Sequence, residues 1–264
     1  MFILLMPQSG NCEQRISKKQ ISQWQTEAEK GHADAQRSLG LSYTVGKGVK
    51  QDYSKALMWS LKAAEQGDAD AQYHLGYMYE YGLGVKQDYG EALKWFRKAA
   101  EQGLANAQTC LGMYYTWGYG VKQDYSEAHN WYRKAAEQGN ANAQNNLGYL
   151  YEKGHGVKQD YGEALKLYRK AAEQGNANAQ NNLGAMYAYG YGVNEDYGKA
   201  LKWFNKAAIQ GHGEAQFYIG VMYYYGHGVD RNVQKALEWF KRACVSGNIK
   251  ACKVYSKLKD STRK

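Results

Sequence analysis

A glycine that recurs every 36 residues constrains the fold of this chain more than any other feature of its sequence. Such a period is typical of stacked supersecondary units, each of which buries its apolar side on its neighbours. The 264 residues are therefore predicted to form an array of repeats and not one or two ordinary globular domains. The recurrent glycines are Gly31, Gly67, Gly103, Gly139, Gly175, Gly211 and Gly247.

Each repeat contains two apolar stretches with helical spacing. In the second repeat, Ala71, Leu75 and Tyr79 recur at intervals of four residues and predict a first helix, helix A. Ala92 and Phe96 predict a second helix, helix B, by the same spacing. The connecting sequence Y-G-L-G-V-K-Q-D supplies glycines that favour positive φ angles and an aspartate that can cap helix B. The predicted fold is all-α: a solenoid, or α–α superhelix, of antiparallel helix pairs.

Three segments are expected along the chain. Residues 1–27 form an N-terminal flank with a candidate short capping helix, and residues 28–243 form six full repeats. Residues 244–264 form a partial seventh repeat or capping helix with a basic tail. The apolar run at residues 2–6 follows no positive charge and precedes no small-x-small cleavage site, so it does not predict a complete signal peptide.

Glycine, alanine and tryptophan form columns through the repeats. A glycine inside helix A costs about 1 kcal/mol relative to alanine, so we expect it to allow a close approach of helix B. The tryptophan column is predicted to be buried core, with Leu167 in its place in the fourth repeat. The glycines are Gly40, Gly76, Gly112, Gly148, Gly184 and Gly220, and the tryptophans are Trp59, Trp95, Trp131, Trp203 and Trp239.

The repeat pattern resembles a known family. A-Q-x-x-L-G-x-x-Y, then G-x-G-V-x-x-D-Y, then A-L-x-W-[FY]-x-K-A-A-x-x-G is similar to the Sel-one-like repeat, a relative of the tetratricopeptide repeat, over residues 28–259. Many members have proline after G-x-G-V, where this chain has lysine, asparagine or aspartate. The resemblance implies a right-handed superhelix whose A helices line a concave surface. It also implies a role in holding proteins together or in bacterial interaction with a host.

The variable residues of helix A are the candidate binding site. In the second repeat Tyr73, Tyr77 and Tyr81 fall at i, i+4 and i+8, on one stripe of the helix. We predict a non-enzymatic, monomeric scaffold or adaptor that binds a protein or peptide segment along such stripes in the concave groove. The alternative is that these side chains only cover the helix surface. The predicted site residues are Tyr73, Tyr77, Tyr81, Trp117, Asn145, Tyr149, Asn181, Tyr189 and Tyr225.

Two cysteines depart from the repeat pattern together. Cys244 replaces a recurrent alanine and Cys252 a recurrent glutamine, across a turn short enough for a disulfide bond. Two reduced thiols packed as small core residues are the alternative, and the compartment decides between them. Cys12 and Cys110 have no obvious mate. In the resembling family some exported members join adjacent helices with such a pair, so we favour export to the periplasm or medium over the cytoplasm.

Composition argues against several other classes of function. Of the net charge of +9, the last twelve residues carry +4, and the remainder is spread thinly along residues that mix both signs. This distribution is typical of a solvated helical face with a basic tail and does not predict nucleic-acid binding. No apolar run approaches the roughly 20 residues that a membrane span needs. The histidines show no spacing typical of four zinc ligands, so no metal site is predicted. G-L-G-V-K-Q lacks the third glycine of a dinucleotide loop, so no cofactor is predicted.

Two further functions remain as alternatives. The resemblance allows an exported bacterial host-interaction factor of the virulence type. Some cysteine-rich relatives have been labelled β-lactamases, which makes a hydrolase the other alternative. However, S-x-x-K occurs only at Ser256–Lys259 and Ser261–Lys264, without companion S-D-N or K-T-G motifs. We therefore expect that the chain is not an enzyme.

Overall fold

The computed structural model describes residues 16–261, and every regular element in that range is an α-helix. The chain divides into two compact units, Met1–Leu104 and Ala105–Lys264. Unit 1 contains α1 (Lys18–Glu29), α2 (Ala33–Val45), α3 (Tyr53–Glu65), α4 (Ala69–Tyr81) and α5 (Tyr89–Glu101). Unit 2 contains α6 (Ala105–Trp117), α7 (Tyr125–Glu137), α8 (Ala141–Lys153), α9 (Tyr161–Glu173), α10 (Ala177–Tyr189), α11 (Tyr197–Ile209), α12 (Gly213–Tyr225), α13 (Val233–Val245) and α14 (Ile249–Ser261).

The helices alternate as the repeat pattern predicts. Even-numbered helices from α2 to α12 are helix A, and odd-numbered helices from α3 to α13 are helix B. By repeat position, α1 takes the place of a helix B and α14 that of a helix A. The apolar run at residues 2–6, Cys12 and the last basic residues, 263 and 264, lie outside the described residues. Within residues 16–261, no helix combines the length and apolar character needed to cross a membrane.

Helix starts and stops follow local chemistry. Asp88 adopts an extended conformation before α5, and its side chain accepts hydrogen bonds from the amides of Gly90 and Glu91 at 2.8 and 3.0 Å. Such a cap satisfies backbone donors that the first helical turn leaves free. Gly82 ends α4 with φ of 67°, a left-handed conformation in which a side chain is strained. The predicted cap and turn are both confirmed.

The glycine inside helix A packs against an aromatic ring of helix B. A Cβ atom at Gly76 would lie 2.5 Å from the ring of Phe96, which is fully buried. The same place on helix B is taken by buried rings in four more repeats and by buried Ser60 in the first. Those four rings are Tyr132, Tyr168, Phe204 and Phe240.

The tryptophans lie one residue before this place and pack against the core as predicted, but only Trp59 is buried. That residue is 9% exposed, but the other four tryptophans are only partly buried. A lysine or arginine three residues later lies over each ring, as Lys98 does over Trp95 with its Nζ 4.1 Å from the ring centroid. Position i+4 from the buried alanine faces helix A, whereas position i+3 lies at the border of that face. Trp95, Trp131, Trp203 and Trp239 therefore shield the core edge under a cation.

Glutamines bond consecutive repeats together and form what we call the glutamine ladder. Nε2 of Gln72 donates to the carbonyl of Ala64 at the end of the preceding helix B, at 3.1 Å. Oε1 of Gln72 accepts from Nε2 of Gln102, which follows the next helix B, at 2.8 Å. The second bond recurs in five pairs at 2.7–2.9 Å: Gln66–Gln36, Gln102–Gln72, Gln138–Gln108, Gln174–Gln144 and Gln210–Gln180.

A disulfide bond replaces one such contact at the end of unit 2. Cys244 and Cys252 are joined, with their Cα atoms 4.6 Å apart. They occupy the repeat positions of Ala208 and Gln216, which are linked by a hydrogen bond from Nε2 of Gln216 to the Ala208 carbonyl at 3.2 Å. The bond thus ties α14 to α13 at the point where the other repeats use a glutamine. Cys110 is a partly buried thiol outside any disulfide bond.

Candidate functional site

In unit 1 the predicted stripe lies along α4. Tyr73 and Tyr77 are partly buried, and Tyr81 is 49% exposed. The ring of Tyr73 lies 5.6 Å from that of Phe96, and the ring of Tyr77 lies 4.5 Å from that of Tyr81. Burial raises the pKa of Tyr77, with smaller contributions from Glu80 and then Tyr53. Exposure therefore increases towards the C-terminal end of the helix.

The predicted aromatic residues of unit 2 show the same gradient. Trp117, Tyr189 and Tyr225, each the last residue of its helix A, are 60%, 53% and 63% exposed. Tyr149, one turn before the end of α8, is partly buried. The accessible part of the stripe in unit 2 is therefore the C-terminal end of each helix A.

The two predicted asparagines lie below the surface. Asn145 is 9% exposed; its Nδ2 donates to Asn146 and its Oδ1 accepts from Asn182 at 3.0 Å, which links α8 to α10. Asn181 is 4% exposed. Because both side chains are buried, these two residues do not present the peptide clamp that the sequence suggested.

A set of stacked rings that sequence reasoning missed adjoins the exposed helix ends. The tyrosine that opens a helix B stacks on the residue between the two turn glycines of the next repeat. A Cβ atom at Gly156 would lie 2.5 Å from the carbonyl carbon of Tyr125, so the turn can approach that tyrosine only as glycine. The pairs are Tyr125–His155, Tyr161–Tyr191 and Tyr197–His227, with centroids 4.5, 5.0 and 4.7 Å apart and planes within 13°.

Each stacked pair continues to a ring near the end of helix A. The ring of Tyr149 lies 5.9 Å from that of His155, the ring of Tyr189 lies 5.7 Å from that of Tyr191, and Tyr225 has the same distance to His227. Three repeats of unit 2 thus carry one three-ring run each. We call these runs the aromatic ledge: Tyr125–His155–Tyr149, Tyr161–Tyr191–Tyr189 and Tyr197–His227–Tyr225.

Polar groups adjoin the ledge. Nζ of Lys153 lies 5.9 Å from the ring centroid of Tyr149 and donates to Oε1 of Glu152 at 2.5 Å. The other carboxylate oxygen accepts from the hydroxyl of buried Tyr168 at 2.7 Å. Burial, followed by the nearby Tyr189 and Glu214, raises the pKa of Tyr218 to about 12. The Tyr218 phenol therefore stays protonated at neutral pH and can donate a hydrogen bond.

Two sets of residues could suggest catalysis, the His74–Ser60 pair and the S-x-x-K residues of α14, but neither has the geometry of an active site. Nδ1 of His74 lies 2.8 Å from Oγ of Ser60, but the residues are 4% and 0% exposed, so no substrate can reach the pair. Ser256 and Lys259 lie on the exposed side of α14 and not in a frayed tail. A nucleophile needs a base and an oxyanion pocket in fixed geometry, which exposed side chains of one helix do not provide. In residues 16–261, no cluster of histidine, cysteine, aspartate or glutamate could hold a metal ion.

The helix pairs, the glutamine ladder and the ledge define a helical-repeat protein of the kind that binds other macromolecules through side chains on a regular scaffold. The chain belongs to the Sel1 repeat family, and the fold is an all-α superhelical solenoid with a 36-residue repeat. The matched repeats are 33–68, 69–104, 105–140, 141–176, 177–212 and 213–248. Sel1 repeats generally mediate protein–protein interaction, and their proteins are typically non-catalytic scaffolds.

Three solved structures are similar to this chain. The first is an Escherichia coli protein described as a protective antigen present in uropathogenic strains, with an SLR fold. It is 41% identical to this chain with a TM-score of 0.80, and the match covers 92% of this chain. This chain spans about half of that antigen, 52%. A Sel1 repeat protein from Oxalobacter formigenes is 37% identical with a TM-score of 0.80, covering 86% of this chain and 90% of its own.

The third structure is a Sel1 repeat protein from Klebsiella pneumoniae subsp. pneumoniae. It is 28% identical with a TM-score of 0.52, and the match covers 76% of this chain and 97% of that one. The comparison with curated proteins gives no match.

Proposed function

We propose that this chain is a non-enzymatic scaffold that binds a peptide segment of another protein along the aromatic ledge of unit 2. The observation that carries the proposal is the recurrence of a three-ring run in three consecutive repeats. Tyr189, Tyr191 and Tyr225 keep 53%, 42% and 63% of their surface exposed. Large rings that are already held by stacking offer contact area at a small loss of side-chain entropy.

The ledge favours an extended peptide. Its rings are spaced by the repeat, so successive side chains of a bound segment would meet equivalent ring sets. Tyrosine hydroxyls at the rim can donate to the peptide carbonyls, while the ring faces contact apolar side chains. Tyr73, Tyr77 and Tyr81 of unit 1 and Trp117 of unit 2 remain proposed as further contacts, because each keeps part of its ring accessible.

Selection of peptides from a displayed random library tests the proposal. Tyr189, Tyr191 and Tyr225 would be changed together to alanine, and the wild-type chain should enrich peptides that this variant binds at least about tenfold more weakly, since each buried tyrosine anchor contributes about 1 kcal/mol or more. A matched control replaces Val45 and Met58, which are 50% and 43% exposed outside the ledge, by alanine. Equal affinity of the ledge variant and the wild type, with unchanged helicity, would contradict the proposal.

A second candidate is an exported host-interaction factor. The Cys244–Cys252 bond favours it, because disulfides persist in oxidising compartments and are rare in the cytosol. Thiol labelling of intact cells before lysis tests this candidate. Protection of both cysteines from the label supports export, and full labelling of both contradicts it.

A further inference from the structure

We call each glutamine pair of the glutamine ladder a rung, and the last rung lacks the glutamine that would donate the hydrogen bond. Gln216 is 7% exposed, and its Nε2 is bonded to the carbonyl of Ala208 as in other repeats. Its Oε1 is buried and accepts no hydrogen bond from the described residues. By repeat position the donor should come from residue 246, 36 residues after Gln210, which serves Gln180. Residue 246 is serine, whose hydroxyl is too short to reach across.

A cavity of about 470 Å³ opens at this rung. Serine lacks the carboxamide that occupies the same place in the other repeats, and the open cavity is large enough to admit one. The backbone does not cause the difference, because Ser246 has φ −78° and ψ 9° and Gln210 has φ −80° and ψ 4°. The cavity is lined by Gln216, Glu238, Lys241, Arg242, Val245 and Ser246.

The helix ends beside the cavity have also changed character. Four repeats end helix B with glutamate in the phrase A-A-E-Q-G, but the last two read A-A-I-Q-G and A-C-V-S-G. The new residues, Ile209 and Val245, are 86% and 82% exposed, and Ile249 at the start of α14 is 71% exposed. Val245 lines the cavity itself. An unbonded buried acceptor therefore shares this cavity with Val245, an aliphatic side chain in a position where four repeats have glutamate.

We propose that this cavity is a docking site for a glutamine side chain of another protein. Its carboxamide nitrogen would donate to Oε1 of Gln216, and an apolar neighbour in the partner would pack on Val245. The ligand is identified by the chain itself, since five intact rungs hold a glutamine carboxamide in the same place at 2.7–2.9 Å. A buried acceptor without a donor carries a desolvation penalty, which this bond removes.

The site is separate from the aromatic ledge. It lies at the C-terminal end of α13, whereas the ledge lies at the ends of the A helices and the starts of the B helices. A peptide with glutamate in place of glutamine serves as a control, because its carboxylate has the same shape as the carboxamide. It separates the proposed hydrogen bond from simple electrostatic attraction to Lys241 and Arg242. The carboxylate would be drawn to these cations, but it cannot donate to Gln216.

The test is an NMR titration of the full-length ¹⁵N-labelled chain with two blocked peptides. The first is acetyl-Ala-Ile-Gln-Gly-amide, which copies residues 208–211, and the second has glutamate for glutamine. We expect saturable shifts of the Gln216 side-chain amide with the glutamine peptide, with Kd on the order of 1 mM. The glutamate peptide should bind at least about tenfold more weakly, because the site rejects an analogue that lacks the donor.

Two variants complete the test. Ser246→Gln places the chain's own carboxamide in the cavity, and it should abolish the shifts and raise Tm while leaving binding at the ledge unchanged. Ser246→Ala keeps the cavity open and should retain the shifts. Three results would each overturn the proposal: no saturable shift of Gln216 with the glutamine peptide, equal binding of both peptides, or unchanged binding by Ser246→Gln.

Discussion

At the scale of single residues, Ser60 departs from the repeat pattern of helix B, and a second departure at His74 accompanies it. Ser60 stands where five other repeats have a buried ring, and its Oγ packs directly against Gly40. His74 occupies the neighbouring interior, with Nδ1 2.8 Å from Oγ of Ser60 and Nε2 3.0 Å from Oγ1 of Thr44. Both ring nitrogens therefore have a partner, and both partners are uncharged hydroxyls.

This arrangement predicts an acid-sensitive core in unit 1. Burial lowers the pKa of His74 from 6.5 to about 4, so the unfolded chain takes up a proton at a higher pH than the folded chain does. The stability that His74 contributes is complete above about pH 6.5 and falls as the pH drops towards 4, by about 2 kcal/mol between about pH 7.5 and pH 4.5.

Urea unfolding of the wild type and of His74→Gln at these two pH values measures the effect. The variant removes the titrating group while keeping a polar side chain. Its free energy of unfolding should fall less between the two pH values than that of the wild type. Equal losses in the two proteins would show that His74 does not titrate as described.

At the scale of helices, close packing of each pair depends on a glycine that meets a ring. Gly76→Ala gains up to about 1 kcal/mol of helix propensity but forces a Cβ atom into the buried ring of Phe96. Overpacking typically costs 1–3 kcal/mol, so we expect a net destabilisation of about 1–2 kcal/mol. Chemical denaturation followed by circular dichroism measures it.

Substitution of a second glycine serves as a matched control, because it should change the stability in the opposite direction. Gly198 lies in the first turn of α11, is exposed, and its added Cβ would contact only Oδ1 of Asp196 at 3.4 Å. Gly198→Ala should therefore stabilise the chain by up to about 1 kcal/mol. If both substitutions shift stability in the same direction, steric contact with the ring is not what keeps glycine in helix A.

Much at the helix scale could be predicted from the sequence. The periodicity of Ala71 and Leu75 predicts helix A, and the glycines and Asp88 predict its turn and the cap of helix B, because these features are local. The partial exposure of four tryptophans could not be predicted, because periodicity alone does not separate position i+3 from i+4 on a broad buried face. The stacking of Tyr161 on Tyr191 could not be predicted, because it joins different repeats through a close backbone contact.

At the scale of the whole chain, the terminal helices differ from the interior ones. In unit 2, α12 packs on both α11 and α13, whereas α14 packs on α13 and buries Ala251, with the disulfide as its covalent link. A repeat array loses its least supported units first. Hydrogen exchange should therefore be faster in α14 than in α12.

Reduction should raise exchange in α14 further, by roughly tenfold or more, because a disulfide that closes a short loop contributes about 2–3 kcal/mol. The double variant Cys244→Ala with Cys252→Gln restores the residues found at Ala208 and Gln216. It should exchange more slowly in α14 than the reduced wild type. Equal exchange in the oxidised and reduced wild type would contradict a structural role for the bond.

The uniform joints of the glutamine ladder also bear on how such a chain can change length. Each joint within a unit uses the side-chain amide of a glutamine in one repeat and the carbonyl of an alanine in the repeat before it, whatever the repeats carry on their surfaces. Duplication or loss of a whole repeat in the gene would recreate the same joint at the new border. Ring sets could then be added or removed in evolution without redesign of the interior.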